Sequence, residues 1–147
     1  MHEQLKQPVS LSGYLETISK AVFQTGISWK VVDAKWDGIR AAMNGFDPLK
    51  VSKLDGADID RLMQDARVIR NRRKLEAVVL NARHMIELDK EFKGFRNYLR
   101  SFGSFDETIA ALHKDFKFMG ETGGYYFLWV VGEKVPPWEK WTASRSK

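Results

Sequence analysis

The chain has 147 residues, which is enough for one domain with a substantial hydrophobic core. Its 44% apolar and 29% charged residues are typical of a folded globular protein and exclude a disordered chain. The net charge of +5 favours an anionic partner, and the lack of cysteine excludes disulfides and zinc–thiolate sites. No apolar run has the length of a membrane span, and the first residues are too polar for a signal peptide. We therefore expect a soluble, intracellular protein of the cytoplasm.

Apolar residues recur at helical spacing along the chain, and no segment alternates with the period of a strand. We predict an all-α fold, a compact helical bundle in one domain over residues 1–147, with a polar amino terminus (1–10) and a Pro/Trp tail (135–147). The first predicted helix covers about Leu11 to Thr25, with Gly26 as its cap, and the second covers Ser28 to Gly45. Two short helices follow, one beginning at Asp47-Pro48 and one at Asp55 or Asp58. A long helix covers about Asn71 to Glu91, a short one covers Phe95 to Phe102, and the next begins with a capping box of Ser104 and Glu107.

The rest of the chain is organised around the segment from Phe116 to Tyr125. An almost wholly apolar helix from Thr122 to Val131, which we expect to be buried, completes a helix-hairpin-helix element. Three glycines in five residues form the turn, and Thr122 is placed to cap the second helix. Such a turn can present backbone N–H groups to a phosphate, and we expect φ > 0 at Gly123 or Gly124. The alternative is a tight loop between two core helices.

Five motifs resemble one protein family, the DNA-3-methyladenine glycosylase I family of the helix-hairpin-helix DNA glycosylase superfamily. They occur in the family's order and with compatible spacing over Leu11 to Gly132, so the chain looks like a shortened and divergent member. The motifs are Phe23-Gln24-Thr25-Gly26-Ile27-Ser28-Trp29-Lys30, then Gly45-Phe46-Asp47-Pro48 with Lys50-Val51, then Asp65 to Ala77, then Asn81-Ala82-Arg83, and finally Phe116 to Gly120 with Thr122 and Tyr125.

The resemblance implies base excision, in which an alkylated adenine is rotated out of the DNA stack and its glycosidic bond is hydrolysed. The flipped base would stack on Trp29, which could otherwise be a core tryptophan near a helix start. The hairpin amides would hold a backbone phosphate. The implied base pocket consists of Trp29, Gln24, Ala21, Tyr14 and Tyr125, and the implied hairpin contacts to DNA are Lys117, Met119, Gly120, Thr122, Gly123 and Gly124.

A cluster of cations lies at the start of the long helix, where the helix dipole disfavours positive charge. Five positive side chains in eight residues could contact DNA phosphates. The alternatives are a solvated helix end, or pairing of Arg70 and Arg73 with acids such as Asp65 and Glu76. The cluster comprises Arg67, Arg70, Arg72, Arg73 and Lys74, and we assign the last four to the DNA interface.

Two departures from the family pattern weaken the case for catalysis. The family carries a pocket glutamate where Ala21 stands here, and Glu16 lies on another helix face because five residues turn a helix through about 500°. We expect Ala21 to leave an open space, and Ala21→Glu to increase excision if the pocket is intact. The family's zinc clasp has no counterpart, since there is no cysteine and His2, His84 and His113 lack ligand spacing. We expect no metal and no cofactor.

Three functions remain compatible with the sequence. The first is a divergent glycosylase that flips a damaged purine into a pocket beside Trp29, with weak or altered excision. Glu139 is then a candidate catalytic carboxylate, although an acid in an exposed tail is usually solvated. The second is a non-catalytic DNA-binding protein, and the third is a protein-interaction module. For the first two we expect a monomer acting on double-stranded DNA, with alkylated or otherwise damaged bases, and no membrane contact.

Overall fold

The computed structural model describes residues 4–145, and over that range the fold is all-α, as predicted, with no residue in a strand. None of the helices in this range is long and apolar enough to cross a membrane. They are α1 (Leu11–Gln24), α2 (Trp29–Ala42), α3 (Pro48–Ser52), α4 (Gly56–Leu62), α5 (Arg72–Glu91), α6 (Phe95–Leu99), α7 (Phe105–Asp115), α8 (Glu121–Val130) and α9 (Trp138–Arg145), with a 3₁₀ turn at Asn44–Phe46.

Most helix boundaries follow from capping residues that are visible in the sequence. The hydroxyl of Ser28 accepts a hydrogen bond from the N–H of Val31 at 3.2 Å, which starts α2. The carboxylate of Asp47 caps two N–H groups of α3. Asp55 and Asp58 bond each other's backbone N–H reciprocally, so both of the residues considered for the start of α4 take part in one capping box.

Helix α7 starts at its predicted cap, although the predicted capping box is not reciprocal. The hydroxyl of Ser104 accepts from the N–H of Glu107 at 3.1 Å. The carboxylate of Glu107 accepts from the N–H of Gly103 at 3.0 Å, one residue before the expected donor. The two side chains still provide acceptors for two N–H groups at the start of the helix.

Helix α5 packs against α1, α3, α4 and α6, and two of its cationic side chains bond to the ends of other helices. Lys74 is 5% exposed, and its ammonium donates to the carbonyls of Phe23, at 2.9 Å, and Thr25, at the end of α1. Arg83 donates to the carbonyl of Ser52 at 2.8 Å, at the end of α3. The last carbonyls of a helix lack donors within it, so these side chains satisfy them.

Helix α8 lies close to α7 because Gly124 has no side chain, and its other buried glycine, Gly123, faces α1. A Cβ added to Gly123 would lie 3.7 Å from the Cβ of Ala21 on α1, and one added to Gly124 would lie 2.9 Å from Cδ1 of Ile109 on α7. Both glycines are inside α8, and neither has a positive φ. The predicted positive φ at these positions is therefore wrong, and the glycines serve close helix packing instead of a turn.

Residues 138–145, predicted as part of a tail, form helix α9. The rings of Trp138 and Trp141 lie 4.9 Å and 5.0 Å, centroid to centroid, from the ring of Tyr125 on α8. Trp141 also lies 5.9 Å from Phe105 on α7. A helix this short gains its stability from such packing and not from local propensity, so the sequence pattern did not reveal it.

Replacing Lys74 with methionine is expected to destabilise the protein. The change keeps most of the side-chain volume but leaves carbonyls at the end of α1 without a donor, at a cost of about 1–3 kcal/mol. The matched control is Lys30→Met, at an exposed site in the first turn of α2. We expect it to change the free energy of unfolding by no more than about 0.5 kcal/mol. Urea unfolding followed by tryptophan fluorescence measures both variants, and equal midpoints would contradict the structural role of Lys74.

Candidate functional site

The hairpin that joins α7 and α8 is held by side chains from two helices. Buried Asn81 of α5 accepts from the N–H of Lys117 at 2.8 Å and donates to its carbonyl at 3.2 Å. Nδ1 of His113 lies 3.0 Å from the carbonyl oxygen of Met119 and donates to it in the tautomer protonated at Nδ1. Between these two anchors, Phe118 has a φ of 58°, a strained value for a residue with a side chain. The anchors on both sides hold that conformation.

Helix α8 begins one residue earlier than predicted, and its N-cap is Gly120 instead of Thr122. Because glycine has no side chain, the cap leaves the N–H groups of the first helical turn for another acceptor. The positive end of the helix dipole favours an anion there. Glu121 places a carboxylate at the same point, and its charge is balanced by an ion pair with Arg145 of α9. The hairpin can therefore receive a phosphate.

The cation cluster at the start of α5 contains both free and paired side chains. Arg70 and Arg73 are exposed, and within residues 4–145 neither forms an ion pair. The acids that were considered as their partners instead bind other arginines. The pairs are Arg67–Asp65 at 2.7 Å, Arg72–Glu76 at 3.8 Å and Arg72–Asp60.

Lys74 does not belong to the exposed cluster, and its assignment to the DNA interface is wrong. Its ammonium is buried against the carbonyls at the end of α1, where it cannot reach a phosphate in the folded protein. Burial also lowers the pKa of Lys74 below its usual value. The exposed cations of this region that form no ion pair within residues 4–145 are thus Arg70 and Arg73, joined on the hairpin by Lys117.

A cleft of about 700 Å³, which we call the aromatic cleft, opens between α2, α8 and α9. Five of its seven lining residues are aromatic, so its walls are suited to stacking on a planar group. The rings of Trp29 and Tyr126 lie 4.5 Å apart, centroid to centroid. Two predicted pocket residues, Trp29 and Tyr125, are in the wall. The lining residues are Trp29, Asp33, Thr122, Tyr125, Tyr126, Trp129 and Trp138.

The aromatic cleft also contains a carboxylate, that of Asp33. It lies four residues after Trp29 on α2, so the two side chains share a helix face. Nζ of Lys20 lies 2.7 Å from Oδ1 of Asp33, whose side chain is 43% exposed. Burial, with the negative charges of Asp33 and Glu16, raises the pKa of Tyr126, so that phenol stays neutral. Asp33 is not among the pocket residues predicted from the sequence, although its spacing of four residues from Trp29 was a usable signal.

Three predicted pocket residues do not line the aromatic cleft. Tyr14 is 3% exposed, and its ring lies 5.1 Å from that of Phe95 in the core. Gln24 lines a separate cleft of about 470 Å³ beside the hairpin, which we call the hairpin cleft. Ala21 is fully buried against Gly123. The expectation of an open space at the position of the family's glutamate is therefore wrong.

The other candidate acids lie elsewhere. Glu139 is exposed in the first turn of α9 and is not among the residues that line the aromatic cleft. Glu16 accepts a hydrogen bond from Nε1 of Trp36 at 2.8 Å and pairs with Arg40 at 2.7 Å. It is therefore engaged on another face of α1, as its spacing from Ala21 predicted.

The described residues do not fit the zinc clasp of the family. Across residues 4–145, no group of three or more His, Cys, Asp or Glu side chains could hold a metal ion. The ring of His84 lies 5.6 Å from that of Phe116, and His113 bonds the hairpin. His2 lies outside the described residues, and the chain has no cysteine.

Comparison with known proteins decides the family. The family model described as methyladenine glycosylase matches residues 12–115. The chain belongs to the methyladenine glycosylase family. It is 32% identical to DNA-3-methyladenine glycosylase 1 of Escherichia coli (strain K12), over 82% of this chain and 80% of that protein. It is 35% identical to the DNA-3-methyladenine glycosylase of Haemophilus influenzae, over 74% of this chain and 70% of that protein.

Solved structures of methyladenine glycosylases share the fold. A crystal structure of 3-methyladenine DNA glycosylase I matches with a TM-score of 0.74 at 28% identity, over 84% of this chain and 80% of that one. The enzyme from Staphylococcus aureus matches with a TM-score of 0.77 at 24% identity, over 89% of this chain and 81% of that one. The family inferred from the five motifs is confirmed.

Ala21→Glu is expected to destabilise the fold instead of restoring a pocket. The new carboxylate would be buried in the core beside Gly123, and an uncompensated buried charge costs about 3–5 kcal/mol. The control is Ala34→Glu on the exposed side of α2. This substitution should change the stability of the protein little. Thermal unfolding measures both. A fully stable Ala21→Glu protein with increased excision would show that α8 can move away from α1.

Proposed function

We propose that this protein binds DNA, receives a flipped, damaged purine in the aromatic cleft beside Trp29, and excises it weakly or not at all. The observation that carries the proposal is that α8 serves both parts of the site. Its first turn, at the end of the hairpin, has no side-chain cap on its N–H groups, and four of its residues line the aromatic cleft. Thr122 lines both the hairpin cleft and the aromatic cleft, so a nucleotide held at one lies beside the other.

The exposed cations support duplex binding on the hairpin side of the molecule. The start of α5 lies beside Thr25, because Lys74 bonds its carbonyl, and Thr25 lines the hairpin cleft. Arg73 precedes the hairpin anchor Asn81 by eight residues, which is about 12 Å along a helix. A DNA backbone that contacts the hairpin can therefore extend to the start of α5.

The alanine at the position of the family's glutamate supports the proposal that excision is weak. Alanine there offers no acceptor for a base edge and no charge to steady a developing cation, and Gly123 closes the space around it. Losing a preorganised electrostatic contact raises a barrier by about 2.7–4 kcal/mol, or 100- to 1000-fold. The same observation favours the second candidate, a non-catalytic DNA-binding protein of this family.

Reversing two exposed charges, with Arg70→Glu and Arg73→Glu together, is expected to weaken duplex binding. Each lost phosphate contact lowers the slope of log affinity against log salt by about one, so the double variant should flatten it by about two. Lys90→Glu with Lys93→Glu makes the same charge change at exposed sites near the far end of α5 and should keep the slope. Equal losses in both variants would mean that net charge, and not this cluster, governs binding.

Excision of 3-methyladenine is expected to be at least about 100-fold slower than by the Escherichia coli relative, or undetectable. Chromatography of bases released from methylated duplex DNA measures it, with the relative as positive control and at salt concentrations where this protein binds DNA. Rates equal to those of the relative would show that another carboxylate performs the role that the family assigns to the position of Ala21.

A further inference from the structure

The hairpin cleft has no permanent positive charge among the described residues that line it. These eleven residues include no lysine and no arginine, and Glu121 contributes a carboxylate. His113 is the one lining residue whose side chain can become a cation. The charge of the lining therefore depends on the imidazole. It is negative overall while the ring of His113 is neutral, and it is balanced when that ring is protonated.

The hydrogen bond from His113 to the hairpin sets the direction of the second ring nitrogen. Nδ1 lies 3.0 Å from the carbonyl oxygen of Met119, and a carbonyl can only accept, so Nδ1 carries a hydrogen in both the neutral and the protonated ring. The two nitrogens of an imidazole point away from each other, so Nε2 is turned away from Met119. Within residues 4–145, Nε2 makes no hydrogen bond and no ion pair. It is therefore available to a ligand.

Protonation changes Nε2 from an acceptor into a donor. In the neutral ring Nε2 has a lone pair, which a phosphate oxygen cannot bond, whereas the protonated ring offers a positively charged N–H. The first turn of α8, with its uncapped N–H groups, lines the same cleft as His113. We propose that His113 is a further phosphate contact of the hairpin and makes duplex binding stronger as the pH falls. This inference rests on the proposed function, because it adds a pH-dependent contact at the same hairpin.

Other charged groups surround His113, and most keep their charge over the range in which an imidazole titrates. Carboxylates ordinarily titrate below this range and ammonium groups above it. No charged residue of α1 lines the cleft. His84 titrates in the same range but lies outside the cleft lining, with Nε2 4.0 Å from Asp115. The charged groups on the surrounding elements are Lys114 and Asp115 of α7, Lys117 of the hairpin, Glu121 of α8 with its partner Arg145 of α9, and Lys74 of α5 behind Thr25.

The test measures binding of an undamaged DNA duplex to the full chain by fluorescence anisotropy, between about pH 5.5 and 8 at constant salt. We expect the affinity at the lower pH to be about fivefold higher, as for one partly exposed charge contact. His113→Asn keeps an amide N–H where Nδ1 lies and removes the nitrogen that meets the phosphate. In this variant the affinity should change by no more than about twofold over the same range.

The matched control is His84→Asn, which removes an imidazole outside the cleft and should keep the pH response of the unaltered chain. The same pH response in His113→Asn as in the unaltered chain would overturn the proposal, and so would an unaltered chain without a response. An affinity that His113→Asn lowers equally at both pH values would also overturn it and leave His113 an anchor of the hairpin. Thermal unfolding at both pH values accompanies each variant.

A second measurement needs no variant and decides if His113→Asn does not fold. A bound phosphate favours the protonated ring, so duplex binding should move the titration of the His113 imidazole, followed by NMR, to higher pH. A titration that the duplex leaves unchanged would overturn the proposal. If the chain binds duplex equally at every pH, the inference alone fails. If it binds duplex at no pH, the proposed function fails as well.

Discussion

The pairing of backbone groups by polar side chains of α5 fixes the parts of the site relative to one another. Helix ends and tight turns leave N–H and C=O groups without local partners, and buried groups of this kind must be satisfied elsewhere. Helix α5 supplies partners through Lys74 at the end of α1, Asn81 at the hairpin and Arg83 at the end of α3. Because Lys74 and Asn81 are seven residues apart on one helix, about 10 Å of rigid backbone separates the end of α1 from the hairpin. The hairpin cleft lies between those two points, so its width depends on α5.

A second constraint acts at the glycines of α8. Gly124 lets the helix approach α7 until Ile109 leaves no room for a Cβ, and Gly123 faces Ala21 of α1, where a Cβ would lie at an ordinary contact distance of 3.7 Å. This approach closes the space beside Ala21 and turns the outer face of α8 towards α2 and α9. Tyr126 and Trp129 are half-buried on that outer face, whereas Ala21, at the position of the family's glutamate, is fully buried. The closed space beside Ala21 and the partly exposed aromatic face of α8 are two results of one packing arrangement.

Local chemistry explains how much of the fold could be predicted from the sequence. Ser28, Asp47 and Asp55 cap their helices by contacts within three residues, so their roles are visible without a structure. Longer-range features were not visible. Three glycines close together are typical of a turn, and only the positions of α1 and α7 show that two of them serve packing. Asp33 was overlooked because periodicity reveals which helix face is polar but not which cleft it borders, and α9 because its tryptophans find their partners on other helices.

In the proposed function the hairpin binds DNA, and its anchoring then has a consequence for how fast DNA can bind. A loop that becomes ordered only on binding loses conformational entropy worth about 1–2 kcal/mol for each residue fixed. Here Asn81 and His113 hold the residues on both sides of Phe118 in the protein without DNA. The entropy of ordering the hairpin is therefore lost during folding and not at the encounter. Association can then proceed at a rate set by diffusion and electrostatic attraction, with no search among hairpin conformations.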